Sequence, residues 1–337
     1  MTDEVALDAA IDRGLEGVVA CSSSISTIDG TTLLYRGYTI EDLAEHLTFE
    51  EVIHLLWEGD LPSARATQQL RERLGQSLAL PVEMRMWLMG LPKQVHSMDF
   101  LHAVVAGLSL HDPDANLLGR EATLRKAIRL TARIGTIIGA FARARIGSWP
   151  LDPVPTQSVA WNLLRGIRGE EPDPQQVRDL DVCLILHADH ELNASAFSAR
   201  VTASSLSGVY SSVMAAIGTL KGPLHGGANE AVMRMLAEIG SLDRVERYLD
   251  DQLKAGAKIM GFGHRVYREG DPRAKILKRM SERLTRAAGC GELYAMSARL
   301  EALMAERKGL SPNVDFYSAS VYTALGIPPD LFTPIFA

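Results

Sequence analysis

From Thr48 to Leu325, apolar residues recur at three- and four-residue spacing in segment after segment, and almost nothing reads as a central strand. Helical patterns run over 64–78, 82–90, 97–110, 120–146, 156–168, 174–187, 228–239, 242–256, 272–288, 292–307 and 314–325. Their boundaries carry chemical signals. Thr48-Phe49-Glu50-Glu51 is a capping box, in which hydroxyl and carboxylate satisfy the free N–H groups of a helix start. The helix it opens carries Val52, Ile53, Leu55 and Leu56 and stops at Gly59, with Pro62 beyond. Thr39 is placed to cap a shorter helix. One hairpin is expected, because Ile25-Ser26-Thr27-Ile28 and Leu33-Leu34-Tyr35 flank the turn pair Asp29-Gly30. The pattern predicts an all-α protein with a small β element near its start.

The stretch Asn193–Leu220 differs in composition, being rich in Ala, Ser and Gly. Small residues let helices approach closely. The expectation is a helix buried centrally or at a subunit interface.

A chain of 337 residues suggests about two domains. Its net charge of −6 argues against general nucleic-acid binding, which needs a basic footprint, but local arginine clusters can still hold small anions. Cys21, Cys183 and Cys290 are few, odd in number and far apart, which fits a reducing cytoplasm. The acidic N-terminus lacks a signal-peptide pattern. No run reaches the roughly 18 apolar residues of a membrane span; the nearest, 134–142, is bracketed by Arg133 and Arg143.

The polar chemistry gathers in the second half. Three segments carry histidine: Leu186-His187-Ala188-Asp189-His190-Glu191, Gly222-Pro223-Leu224-His225-Gly226-Gly227, and Gly261-Phe262-Gly263-His264-Arg265. A carboxylate follows in Ser311-Pro312-Asn313-Val314-Asp315. Histidine is suited to proton transfer near neutral pH, and flanking glycines let backbone approach a ligand. His225 precedes a helix starting near Ala228, where the helix dipole would keep its imidazole neutral. Arg265, Arg268 and Arg273 surround His264 with anion-binding groups. Asp315 has mostly apolar neighbours, so a partly desolvated, more basic carboxylate is expected, suited to a general base. His187, His190 and Glu191 could be metal ligands, but their spacing is not that of the helical zinc motif. No metal is expected, and for His190 a satisfied structural role is favoured. The glycines at 261 and 263 lack the third glycine and the preceding strand of a dinucleotide loop.

Together these segments resemble the citrate synthase family. The N-terminal Gly14-Leu15-Glu16-Gly17-Val18 and Ile28-Asp29-Gly30 with Tyr35-Arg36-Gly37 fit its pattern too, so the resemblance covers essentially the whole chain. It implies a catalytic set of His225, His264 and Asp315. Asp315 would take a proton from the acetyl-CoA methyl group, and His225 would hydrogen-bond the thioester oxygen. His264 would protonate the oxaloacetate carbonyl, and the citryl-CoA formed would be hydrolysed. By the same resemblance His187 and Arg273 hold oxaloacetate and Arg268 contacts the CoA phosphates, with Gly261 and Gly263 also on the CoA side. No tightly bound cofactor and no membrane partner is implied. The implied fold is a large helical domain, 1–227 with 321–337 returning to it, and a small one, 228–320, with the site between them. The Asn193–Leu220 helix would lie at the interface of a homodimer or larger homo-oligomer.

The chain departs from the family at Ser97, where many relatives have Pro, and at His102, where many have Arg. Relatives also run some tens of residues beyond the position of Ala337 and carry two further substrate arginines there. A molecule ending at Ala337 is therefore expected to bind oxaloacetate weakly. Three other readings remain: a 2-methylcitrate synthase using propionyl-CoA, a non-catalytic helical assembly protein of the same fold, and a zinc hydrolase.

Overall fold

The computed structural model describes residues 19–222, 225–264, 267 and 270–337. The Gly14–Val18 motif and the extreme N-terminus lie outside the described residues, as do Pro223, Leu224, Arg265 and Arg268.

The described chain is helical apart from a short antiparallel sheet of strands Ser26–Asp29, Thr32–Tyr35 and Tyr38–Thr39. The first two form the expected hairpin around Asp29-Gly30, with Gly30 at φ +60°. The third strand was not anticipated. Thr39 caps the Ile40–His46 helix, and the Thr48/Glu51 capping box opens Phe49–Glu58.

Long helices follow at Ala64–Ser77, Ser97–Leu108, Arg120–Arg145, Val159–Arg168 and Pro174–His187. Further along the chain come Ala228–Ile239, Val245–Lys254, Pro272–Ala287, Gly291–Lys308 and Val314–Ala324. Most ends lie within three residues of the sequence reading. One contiguous apolar core runs from Leu33 through Leu164 and Ile185 to Phe316 and Ile335. Among the described residues, no helix is long and apolar enough to cross a membrane.

One expectation fails. The Asn193–Leu220 stretch is not one helix but a pair, Ala194–Ser204 and Val209–Leu220. Leu206 at φ +61° and Gly208 at φ +88° take left-handed backbone that no α-helix contains. Nor is the first helix of the pair buried within one chain. Ala194–Ser204 has no buried residue, and Val201 is 55% exposed. The second helix is pinned by Tyr210, whose hydroxyl donates to buried Asp112 at 2.5 Å.

Candidate active site

Two loops far apart in sequence are sewn together to build one wall of a cavity. Asn313 N–H donates to the Gly261 carbonyl (2.9 Å), and Gly263 N–H donates to the Ser311 carbonyl (3.0 Å). Asn313 Nδ2 adds a bond to the Gly263 carbonyl (3.0 Å). These bonds set His264 beside the start of the Val314–Ala324 helix, which carries Asp315. Glycine is required at 261: its φ is +82°, and a Cβ there would stand 2.8 Å from Phe316 and Val232 side-chain atoms.

Asp271 ties this wall to a cation. It caps the Pro272–Ala287 helix, with Pro272 at the first helical position. Its carboxylate accepts from Arg273 Nε (3.0 Å) and Nη2 (2.8 Å) and from Val314 N–H (3.1 Å). Both charged groups are buried, Asp271 at 2% and Arg273 at 5% exposure. A buried guanidinium held bidentately is fixed in orientation as well as charge.

The opposite wall comes from the end of the Pro174–His187 helix. The small sheet positions it: the Tyr35 hydroxyl donates to the Asp189 carbonyl (2.7 Å) and accepts from Asp189 N–H (3.2 Å), while Ser26 Oγ donates to the Asp189 carboxylate. His190 Nε2 lies 3.1 Å from the Tyr267 hydroxyl, and its ring centroid is 5.1 Å from that of His264. His225 follows the turn after Val209–Leu220 and pairs through Nε2 with Ser195 Oγ at 2.7 Å. A Cβ on the next residue, Gly226, would fall 2.2 Å from the Leu220 carbonyl oxygen, so that turn also demands glycine.

Between the walls lies a cavity of about 350 Å³. His187, His190, Ser195, His225, His264, Arg273 and Asp315 all line it. The structure thus brings together all three expected catalytic residues and both expected oxaloacetate residues. Arg268 lies outside the described residues. Gly261 and Gly263 are not among the lining residues, and at Gly261 packing against Phe316 and Val232 accounts for the glycine.

Electrostatics sort these groups. Burial raises the Asp315 pKa to about 6, against a smaller opposing effect of Arg273. That matches the expected basic carboxylate. His225 is shifted down, as expected, and burial is a cause. Burial also lowers His264, and lowers His190 to about 3 and His187 to about 4. All four imidazoles are therefore neutral near pH 7, and each carries a single ring hydrogen.

Backbone partners fix where two of those hydrogens sit. Tyr267 N–H donates to His264 Nδ1 (3.3 Å), which leaves the His264 hydrogen on Nε2. His187 is the reverse: Nδ1 lies 2.7 Å from the Cys183 carbonyl oxygen, which only accepts, so the hydrogen is on Nδ1.

Sequence reasoning missed Ser195, Asp271 and Tyr267 and undervalued His190, which lines the cavity although its Tyr267 bond satisfies it. The Asp-Pro pair before a helix was a readable signal for Asp271. Ser195 had none among so many small residues. Among the described residues, no three His, Cys, Asp or Glu groups are placed to share a metal ion.

Comparison with known proteins converges on one family. Residues 14–337 match the model described as "Citrate synthase, C-terminal domain". The chain is 51% identical to citrate synthase 2 of Bacillus subtilis strain 168, across 96% of this chain and 88% of that protein. It is 45% identical to citrate synthase of Haloferax volcanii, across 98% and 89%. The crystal structure of citrate synthase from Pyrobaculum aerophilum superposes with a TM-score of 0.90 at 40% identity, covering 96% of this chain and 84% of that one.

Proposed function

Since the chain belongs to the citrate synthase family and catalyses its reaction, the condensation of acetyl-CoA with oxaloacetate to citrate and CoA, we propose that His225, His264 and Asp315 carry out the chemistry. Asp315 takes a methyl proton from acetyl-CoA. His225, neutral and held by Ser195, hydrogen-bonds the thioester oxygen as the enol forms. The enol carbon attacks the keto carbon of oxaloacetate, and His264 delivers its Nε2 hydrogen to the keto oxygen. Water then cleaves the citryl thioester.

The observation that carries this assignment is the pairing of a raised carboxylate with an Nε2–H imidazole on one wall of one cavity, beside a fixed guanidinium. A base must be unprotonated and an acid must present hydrogen at the operating pH, and this wall supplies one of each. Arg273, with His190 beside His264, is the oxaloacetate end of the cavity. Arg268 is the group we assign to the CoA phosphates, on guanidinium chemistry and the family motif.

The cavity is lined by residues 187–226 on one side and 264–315 on the other, which supports a large domain of 1–227 with 321–337 and a small domain of 228–320. Closing one on the other would exclude water from the enol. The open Ala194–Ser204 face supports a homodimer or larger assembly built on that helix pair. Free thiols at Cys21, Cys183 and Cys290 fit a cytoplasmic setting.

The test is release of free thiol on mixing protein, oxaloacetate and acetyl-CoA, with propionyl-CoA in parallel. Oxaloacetate-dependent release, faster with acetyl-CoA, is expected. Faster release with propionyl-CoA would make the chain a 2-methylcitrate synthase.

A further inference from the structure

We infer that His187 holds the water that hydrolyses the citryl thioester, accepting one of its O–H bonds at Nε2. The inference rests on the reading of the cavity as the site of condensation.

The argument starts from the tautomer. With its hydrogen committed to the Cys183 carbonyl, His187 carries a lone pair, not a hydrogen, at Nε2. That nitrogen is buried and has no hydrogen-bond partner, yet His187 lines the cavity. A buried acceptor without a donor is unfavourable, so its natural complement is a ligand that brings one. Burial, which holds the ring pKa down at about 4, keeps the lone pair available at neutral pH.

The substrates do not bring that donor. At neutral pH the carboxylates and keto group of oxaloacetate only accept, and so does the acetyl thioester. A lone pair facing them would repel them. The oxaloacetate contact expected at His187 therefore has the wrong polarity, whereas Arg273 and the Nε2–H of His264 have the right one. The third reactant, water, brings two O–H bonds.

A second orphan stands nearby. The Tyr322 hydroxyl is also buried without a partner, and its ring centroid is 6.2 Å from that of His187. Its acidity is pushed well down by burial, with the charges of Cys183 and Asp315 adding to the effect, so the hydroxyl lies within electrostatic reach of the catalytic carboxylate. Tyr322 donates where His187 accepts. A water at His187 with its oxygen turned to Tyr322 would give both groups a partner.

The step balances without any further reactant. The water oxygen bonds to the thioester carbon and the carbon–sulfur bond breaks. One water hydrogen ends on the CoA thiol, and the other is released as the new carboxyl group ionises.

The experiment separates condensation from hydrolysis in the intact protein. In single-turnover quench with radiolabelled acetyl-CoA and oxaloacetate, His187→Leu is expected to consume acetyl-CoA within about threefold of the parent rate while citryl-CoA accumulates. Hydrolysis of supplied citryl-CoA should fall at least tenfold, and His187→Gln, which restores an acceptor, should recover much of it. Condensation and hydrolysis falling together, or a raised KM for oxaloacetate with hydrolysis intact, overturns the proposal. Should the leucine variant fail to fold, Tyr322→Phe decides: slower citryl-CoA hydrolysis with normal condensation supports the water site, and no change in either overturns it. Asp315→Asn is the control. If it leaves condensation intact, the assignment of the cavity itself is wrong; if it stops condensation while His187→Leu spares hydrolysis, only the water site is wrong.

Discussion

The two walls of the cavity are held in different ways. The wall bearing His264, Arg273 and Asp315 is backed by core: every residue from Phe316 to Tyr322 is buried, and buried Asp271 ties Arg273 to the start of the same helix. The wall bearing Ser195 and His225 rests on a helix pair whose first member buries nothing within the chain. The difference extends to the imidazoles. On the first wall a backbone N–H makes His264 a donor, and on the second a backbone carbonyl makes His187 an acceptor. Core packing thus fixes His264, Arg273 and Asp315, whereas Ser195 stands on a helix left open to solvent.

Four changes would break or sharpen this contrast. The largest effect is expected from Asp315→Asn. Removing the proposed general base should lower turnover about 10²–10⁴-fold, with melting temperature held or raised, as read by thiol release and calorimetry. The sign follows from the raised pKa. Folded Asp315 binds its proton more tightly than the unfolded chain does, so stability is lost as pH rises from about 4 to about 6, and the full cost stands above that. The asparagine variant should therefore gain on the parent at pH 8 and lose that advantage only as pH falls to about 4, where the unfolded carboxyl is protonated too.

Next comes the packed wall. Gly261→Ala places a Cβ against Phe316 and Val232 at φ +82°. It is expected to cost about 2–4 kcal/mol in urea unfolding and to lower activity at temperatures where the protein stays folded. A stable, active alanine variant would show that this wall yields more than the contacts imply.

The pH profile is a gentler probe. With Asp315 near pKa 6, turnover should fall tenfold per unit below about pH 6 and level above it. A break near pH 4 would mean that the carboxylate is solvated during catalysis.

The smallest effect on the chain itself is expected on the open wall. Val201→Asp, at a position 55% exposed, should change unfolding of the separated chain by less than about 0.5 kcal/mol. In light scattering it should convert a dimer to monomers. A dimer unmoved by this change would place the interface elsewhere.

How far the sequence could be read follows the same divide between local and distant interactions. The Thr48/Glu51 box, the Thr39 cap and the Asp29-Gly30 turn are contacts within a few residues, and each stands as predicted. The gathering of His225, His264 and Asp315 in one cavity was legible because each sits in a motif of unusual residues. The break between Ser204 and Val209 was not, although Gly208 was visible, because nothing about a leucine announces positive φ at Leu206. The pairing of 261–263 with 311–313 joins segments some fifty residues apart, beyond any local periodicity. Tautomers were equally hidden. Whether His187 gives or receives a hydrogen depends on a carbonyl one helical turn away and on the depth of burial, and spacing reports neither.

The most direct test of the account is to compare oxaloacetate-dependent CoA release by the parent and by Asp315→Asn, with the Asp271–Arg273 pair left intact. The account predicts steady release by the parent and a loss of at least a hundredfold in the variant, with the fold unchanged by circular dichroism. Release within threefold of the parent from a correctly folded Asp315→Asn protein would contradict it.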